Sequence, residues 1–143
     1  MKKLLLILLC LPMIGFGQNV YIPDANFKAY LVGNAFINTN GDSQIQVSEA
    51  AAFNDTIDCD NKNISDLTGI ESFTLLNALS CNNNNLTNLD LSNNIELILL
   101  HCAHNQISSI NVSNNEDLIM LGAENNLLSS IDVRNNINLI NLN

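Results

Sequence analysis

The sequence predicts an α/β repeat solenoid: a parallel sheet of short strands, short 3₁₀ or extended segments on the convex side, and a small helical cap before the first strand. Three observations predict it. The C-terminal part of the chain repeats itself every 21 residues, its apolar content lies in Leu and Ile rather than in aromatics, and asparagine recurs at fixed positions where a chain would turn. Apolar residues make up 47% of the 143 and aromatic residues 5%, with no Trp, so the interior has to be built from aliphatic side chains. Fourteen acidic residues against five basic ones give a formal net charge of -9, which excludes a nucleic-acid surface because such a surface must neutralise phosphates.

The first element is an address label rather than structure. Met1-Lys2-Lys3 is a positive start, residues 4–11 are an apolar run too short to span a bilayer, and Gly15-Phe16-Gly17 puts small residues at the two cleavage-recognition positions. Residues 1–17 therefore read as a secretory signal peptide cleaved before Gln18, and the exported chain is expected to be secreted or held at the cell surface with no transmembrane segment. Loss of Lys2 and Lys3 makes it more acidic still. Cys10 follows Leu9, where a lipoprotein signal would carry a small residue.

Residues 18–53 do not share the period and read as a helical cap. Pro23 and Asp24 open a helix with Phe27, Tyr30 and Leu31 at i, i+3, i+4 on one face, which is expected to cover the apolar end of the first repeat. The segment from Asn38 to Glu49 is similar to the EF-hand calcium loop, with oxygen-bearing side chains at positions 1, 3 and 5, an apolar residue at 8 and Glu at 12. That resemblance implies Asn38, Asn40, Asp42 and Glu49 as side-chain ligands and Gln44 as a backbone carbonyl ligand for calcium. Two positions depart from the pattern: Asn38 stands where the family prefers Asp, and Ser43 where it uses Gly. The alternative is an Asn/Gly turn that joins the first helix to a second one begun by Ser48-Glu49.

Residues 54–143 carry the repeats. Leu76, Leu97, Leu118 and Leu139 open copies offset by 21 residues, and the register holds through Leu86, Ile107 and Leu128, through Leu91, Val112 and Val133, and through Asn94, Asn115 and Asn136; Ile57-Asp58-Cys59 belongs to an earlier copy offset by 22. The pattern L-x-x-L-x-L/C-x-x-N-x-L is met in full over residues 76–86 and 97–107, so this region resembles the leucine-rich-repeat family. With the cap it resembles secreted bacterial surface proteins of that family, which implies a parallel sheet whose concave strand face is the recognition surface.

Alternation along each strand assigns the faces. Leu79 and Cys81 point inward while Ala78, Ser80 and Asn82 point out, and stacking the copies gives three outward columns: Thr56, Ala78, Leu99, Met120; Asp58, Ser80, His101, Gly122; and Asp60, Asn82, Ala103, Glu124. From these we take Asp58, Asp60, Ser80, Asn82, Leu99, His101, Met120 and Glu124 as the candidate binding residues, with Leu99 and Met120 forming an exposed apolar spot rimmed by Asp60, Asn82 and Glu124. Asn84, Asn105 and Asn126 fall where the chain leaves the strand and are expected to form a structural ladder of side-chain hydrogen bonds to the turn; Lys62 holds that position in the first copy. Cys59, Cys81 and Cys102 share one inward position, which favours buried thiols over a Cys59-Cys81 disulfide because neighbouring side-chain vectors in a parallel stack run side by side.

No catalytic constellation emerges. His101-Cys102-Ala103-His104 looks like a metal pair, but the register sends Cys102 inward and His101 outward; no G-x-S-x-G, P-loop or G-x-G-x-x-G motif occurs. Formal glycosylation sequons at Asn54, Asn63, Asn85 and Asn111 arise readily in so Asn-rich a chain. The sequence thus points to a non-enzymatic binding module for a protein or surface glycan. The alternative is a scaffold or targeting fragment of a larger surface protein or enzyme. Residues 139–143 read as a strand with no polar segment covering it, and end-to-end self-association through that strand is expected.

Overall fold

The computed structural model describes residues 17–143, so the expected leader lies outside the described residues apart from Gly17. The first helix, α1 (Ala25–Val32), begins where the Asp24 carboxylate accepts the backbone N–H groups of Asn26 and Phe27, each at 2.9 Å. Phe27 and Leu31, one turn apart, are buried. The second helix, α2 (Val47–Ala52), begins at Gln46, whose N–H donates to Glu49 Oε2 at 3.0 Å. The extended segment before α1 lies against the start of α2: Val20 N–H donates to Ile45 O and Val47 N–H to Gln18 O, both at 2.8 Å.

The sheet has five parallel strands in chain order: β1 (Thr56–Asp58), β2 (Ala78–Ser80), β3 (Leu99–His101), β4 (Met120–Gly122) and β5 (Asn141–Leu142). Ile57, Leu79, Leu100, Leu121 and Leu142 are paired across it, and the first four are buried. Strands of two or three residues cannot hold themselves together. Each becomes stable because the next copy adds its hydrogen-bond ladder and its layer of Leu, Ile or Val to the same continuous core. The connections on the opposite side are turns, with a 3₁₀ segment at Ile70–Ser72 in the first repeat, as the short spacing predicts. At the far side β5 pairs with β4; Leu142 is 46% exposed and Ile140 85%. No helix among the described residues is long and apolar enough to cross a membrane.

The cap seals the free edge of β1 through specific groups. Tyr30 Oη accepts the Asp58 N–H at 3.0 Å, Asn26 Nδ2 donates to Asn63 O at 3.0 Å, and Asp24 Oδ2 accepts both the N–H and the hydroxyl of Ser65 at 2.9 Å. Burial alone would raise the Asp24 carboxyl; the hydrogen bonds from Phe27, Ser65 and Asn26 outweigh it and hold the group below its ordinary value. Phe53 and Phe73 meet edge to face at 6.2 Å across the seam. Gly69 is required there. Its φ of +108° is strained for any side chain, and a Cβ would stand 2.8 Å from Ile22 Cγ1 and 3.0 Å from Tyr21 O.

Two asparagine ladders brace the stack. On the strand side, Asn84 Nδ2 donates to Cys59 O and Cys81 O while its Oδ1 accepts from Lys62 N and Ile64 N; one and two layers on, Asn105 and Asn126 make the same pair of carbonyl bonds, with Oδ1 accepting from Leu86 N and Ile107 N respectively. Each side chain therefore ties its own turn to the preceding one. On the opposite side, buried Asn94, Asn115 and Asn136 each donate from Nδ2 to two carbonyls, in the pairs Ile70 and Phe73, Leu91 and Asn94, and Val112 and Asn115. The sequence reading placed these three only as register positions. Recurrence alone does not single them out, because Asn93, Asn114 and Asn135 recur as regularly and are exposed.

Candidate binding face and cap loop

The parallel register places the outward residues in columns: Thr56, Ala78, Leu99, Met120 and Asn141 in one, Asp58, Ser80, His101 and Gly122 in the next. Beyond the strand ends, Asp60 and Asn82 join them in a connected polar network. Asp60 Oδ1 accepts from Ser80 Oγ at 2.8 Å and from Asn82 N–H at 2.7 Å, its Oδ2 accepts from Asn82 Nδ2 at 3.1 Å, and Asn82 Oδ1 accepts the Ala103 N–H at 2.8 Å. These bonds cross from one repeat to the next and fix three of the sequence-selected side chains in one orientation before any partner arrives.

Next to the network the face opens into a depression of about 320 Å³, walled by Asn82, His101, His104, Met120 and Glu124, with Ala103 and Gly122 on its floor. A Cβ on Gly122 would lie 3.4 Å from His101 Cδ2 and 3.5 Å from Glu124 Oε2, so glycine keeps this space open without being demanded by the backbone. The carboxylates of Asp58, Asp60 and Glu124 give the face an acidic character. Among the described residues, Arg134 is bound to Asp132, at 2.6 Å, away from the strands.

The expected apolar spot is only partly exposed. Leu99 and Met120 are half-buried, because side chains on adjacent strands about 4.8 Å apart shade one another, and Met120 Sδ lies 3.1 Å from His101 Nε2. Ala78 and Ala103, placed outward by alternation, are buried under longer neighbours. The large apolar side chains that do reach solvent sit elsewhere, among them Ile119, Ile137 and Ile140. His104 occupies a left-handed turn position, φ 55°, equivalent to that of Asn83 and Asn125, and its Nε2 lies 3.3 Å from Asn125 Nδ2. No group of three His, Cys, Asp or Glu among the described residues is placed to hold a metal ion.

Behind the face the three cysteines are buried as free thiols. Burial, reinforced by the charges of Asp60 and Asp58, pushes the Cys59 thiol up to about 12; burial and Glu124 do the same to Cys102, and Cys81 is raised well above its ordinary value by burial first.

The cap loop brings Asn38, Asn40, Asp42 and Glu49 together by a different set of bonds. Glu49 Oε1 accepts from Thr39 N, Thr39 Oγ1 and Asn40 N, and its Oε2 from Gln46 N. Burial would raise this carboxyl, but those donors hold it below its ordinary value. Asp42 Oδ1 accepts the Gln44 N–H, and the Gln44 side chain accepts from Lys28 Nζ at 2.8 Å. Asn38 is buried, with Nδ2 donating to Val32 O and Asp42 O; its Oδ1 has no hydrogen-bond partner.

No protein-family model matches the chain. Over 76 residues it is 39% identical to internalin J of Listeria monocytogenes serotype 4b (strain F2365), a match covering 53% of this chain and 8% of that protein. Among solved structures, the functional domain of internalin J from Listeria monocytogenes, described as including a cysteine ladder, superposes with a TM-score of 0.78 at 34% identity over 89% of this chain and 28% of that one. The chain has a leucine-rich-repeat fold. An internalin of the same organism, inlF, superposes at 0.70 with 19% identity over 85% of this chain and 43% of the other, a likeness of leucine-rich-repeat fold alone. The chain spans less than a tenth of the curated relative's length.

Proposed function

We propose that this leucine-rich-repeat chain is a non-enzymatic binding module of the cell surface or its surroundings, recognising a protein or a surface glycan through its strand face. The observation that carries the reading is the prearranged Asp60-Ser80-Asn82 network beside the depression between His101 and Glu124. Side chains already held in place lose little freedom on binding, and their acidic and amide oxygens suit basic or hydroxyl-bearing groups on the partner. Similarity to internalins supports a surface role. The test is capture from host-cell and bacterial-surface extracts. Glu124→Arg and Gly122→Leu, which reverse the charge of the depression and fill it, should each cut capture at least about tenfold, the effect of losing about 1.4 kcal/mol, at an unchanged melting temperature. Undiminished capture by both variants overturns the assignment.

A second reading concerns the cap loop, which we propose as a weak calcium site. What supports it is that one short loop gathers Asn38, Asn40, Asp42 and Glu49, joined by hydrogen bonds from Asn38 Nδ2 to Asp42 O, from Asn40 Nδ2 to Asp42 Oδ2 and from Asn40 N–H to Glu49 Oε1. Asn38, Asn40, Asp42, Glu49 and the Gln44 carbonyl would supply the oxygens, with Glu49 exchanging its N–H donors for the ion. Calorimetric titration should give a dissociation constant on the order of 10⁻⁴ to 10⁻³ M, abolished in Glu49→Gln. Equal heats for the two proteins leave the segment as a turn.

A further inference from the structure

Of the twenty-seven asparagines in the chain, Asn40 alone is followed by glycine. It is also exposed, at the outer bend of the cap loop, whereas the ladder asparagines and Asn38 are buried or pinned by backbone carbonyls. Gly41 has φ +71°, nothing lies within 4 Å of where its Cβ would be, and its N–H makes no hydrogen bond among the described residues. The Asn40 side chain is folded back over this peptide by an Asx turn, its Oδ1 accepting the Asp42 N–H at 2.8 Å. We propose that Asn40 is a spontaneous deamidation site of the folded protein, converting the cap loop to a more acidic form as the molecule ages.

The turn assembles the parts of an acyl transfer. The Gly41 nitrogen loses its proton to hydroxide and bonds to Asn40 Cγ; negative charge develops on Oδ1, where the Asp42 N–H already donates. The Cγ–Nδ2 bond then breaks and Nδ2 leaves as ammonia, taking the proton it needs from water. The result is a five-membered succinimide spanning residues 40 and 41. Water adds to either ring carbonyl and opens it to aspartate or isoaspartate, so the net change is one water consumed and one ammonia released, with no oxidation or reduction. Glycine at 41 matters because a side chain there would crowd the ring and disfavour its backbone angles.

The product loses two bonds, since Asn40 Nδ2 donates to Gln46 Oε1 at 2.6 Å and to Asp42 Oδ2 at 3.2 Å. It also puts a third carboxylate beside Asp42 and Glu49. The test is incubation of the folded protein, mature chain intact, at mildly alkaline pH and body temperature, followed by peptide mapping by mass spectrometry. The expected result is the mass gain of NH₂ replaced by OH at Asn40 first, with an isoaspartyl product and with Asn38 in the same peptide unchanged; Gly41→Ala should slow the conversion at least tenfold. An Asn40 that stays an amide while a free peptide of residues 36–46 is fully converted overturns the proposal, as does another asparagine converting sooner.

Discussion

Asn105→Ala is expected to lower the unfolding free energy by about 3 kcal/mol, because it strips partners from buried backbone groups that cost about 1–3 kcal/mol each when left bare. Asn105 is 8% exposed; its Nδ2 donates to Cys81 O and Cys102 O at 3.0 Å and to Ala103 O at 3.2 Å, and its Oδ1 accepts the Leu86 N–H at 3.0 Å. Alanine leaves no water path to those groups, since the layers on both sides remain packed. Exposed Asn93 is the control, and its replacement by Ala should stay within about 0.5 kcal/mol of the wild type. Urea denaturation followed by far-ultraviolet circular dichroism reads both midpoints. A shift for Asn105→Ala no larger than that of the control would remove the ladder from the account of stability.

The second large effect is alkaline. The folded-state thiols of Cys59 and Cys102 lie near 12 and that of Cys81 well above its ordinary value of 9.0, in each case because burial penalises the thiolate. Above pH 9 the unfolded chain therefore releases protons that the folded chain keeps, and the unfolded state gains with rising pH. The contribution is fully present below pH 9 and is lost between about 9 and about 12. Melting temperatures should fall through this window, and the fall should flatten in a variant with Cys59, Cys81 and Cys102 all replaced by Ala. In the native protein at neutral pH, thiol reagents should leave all three untouched until denaturant is added. Rapid native labelling, or an alkaline profile identical in the cysteine-free variant, contradicts this.

The repeat architecture was legible because period and side-chain size are local properties of the chain. Leu79 and Cys81 face inward for the same reason that Leu100 and Cys102 do, and counting by two and by 21 finds all of them. The EF-hand-like segment was legible as a loop, and so was the helix before it. What the sequence did not reveal depends on distances across repeats. Whether Leu99 and Met120 stand clear of the surface turns on how closely the strands lie, and the structure tucks both against neighbours. The Asp60-to-Asn82 network joins side chains 22 residues apart, and the seal of Tyr30 on Asp58 joins residues 28 apart. The repeat offset sets Asp60 beside Asn82 in one outward column but does not reveal the hydrogen bonds between them, and the pairing of Tyr30 with Asp58 leaves no mark in composition or spacing. The Asn94, Asn115 and Asn136 ladder was not legible either, since Asn93, Asn114 and Asn135 recur just as regularly beside it and are exposed.

The claim that the strand face does the recognising is most directly tested by footprinting. A photoreactive side chain is placed either at position 56, exposed on the strand face and outside the Asp60-Ser80-Asn82 network, or at position 93, on the turn side, and each protein is irradiated while bound to whatever the wild type captures from surface extracts. The account predicts covalent capture of one partner from position 56 and none from position 93. Cross-linking from position 93 alone would place recognition on the other side of the solenoid and contradict it.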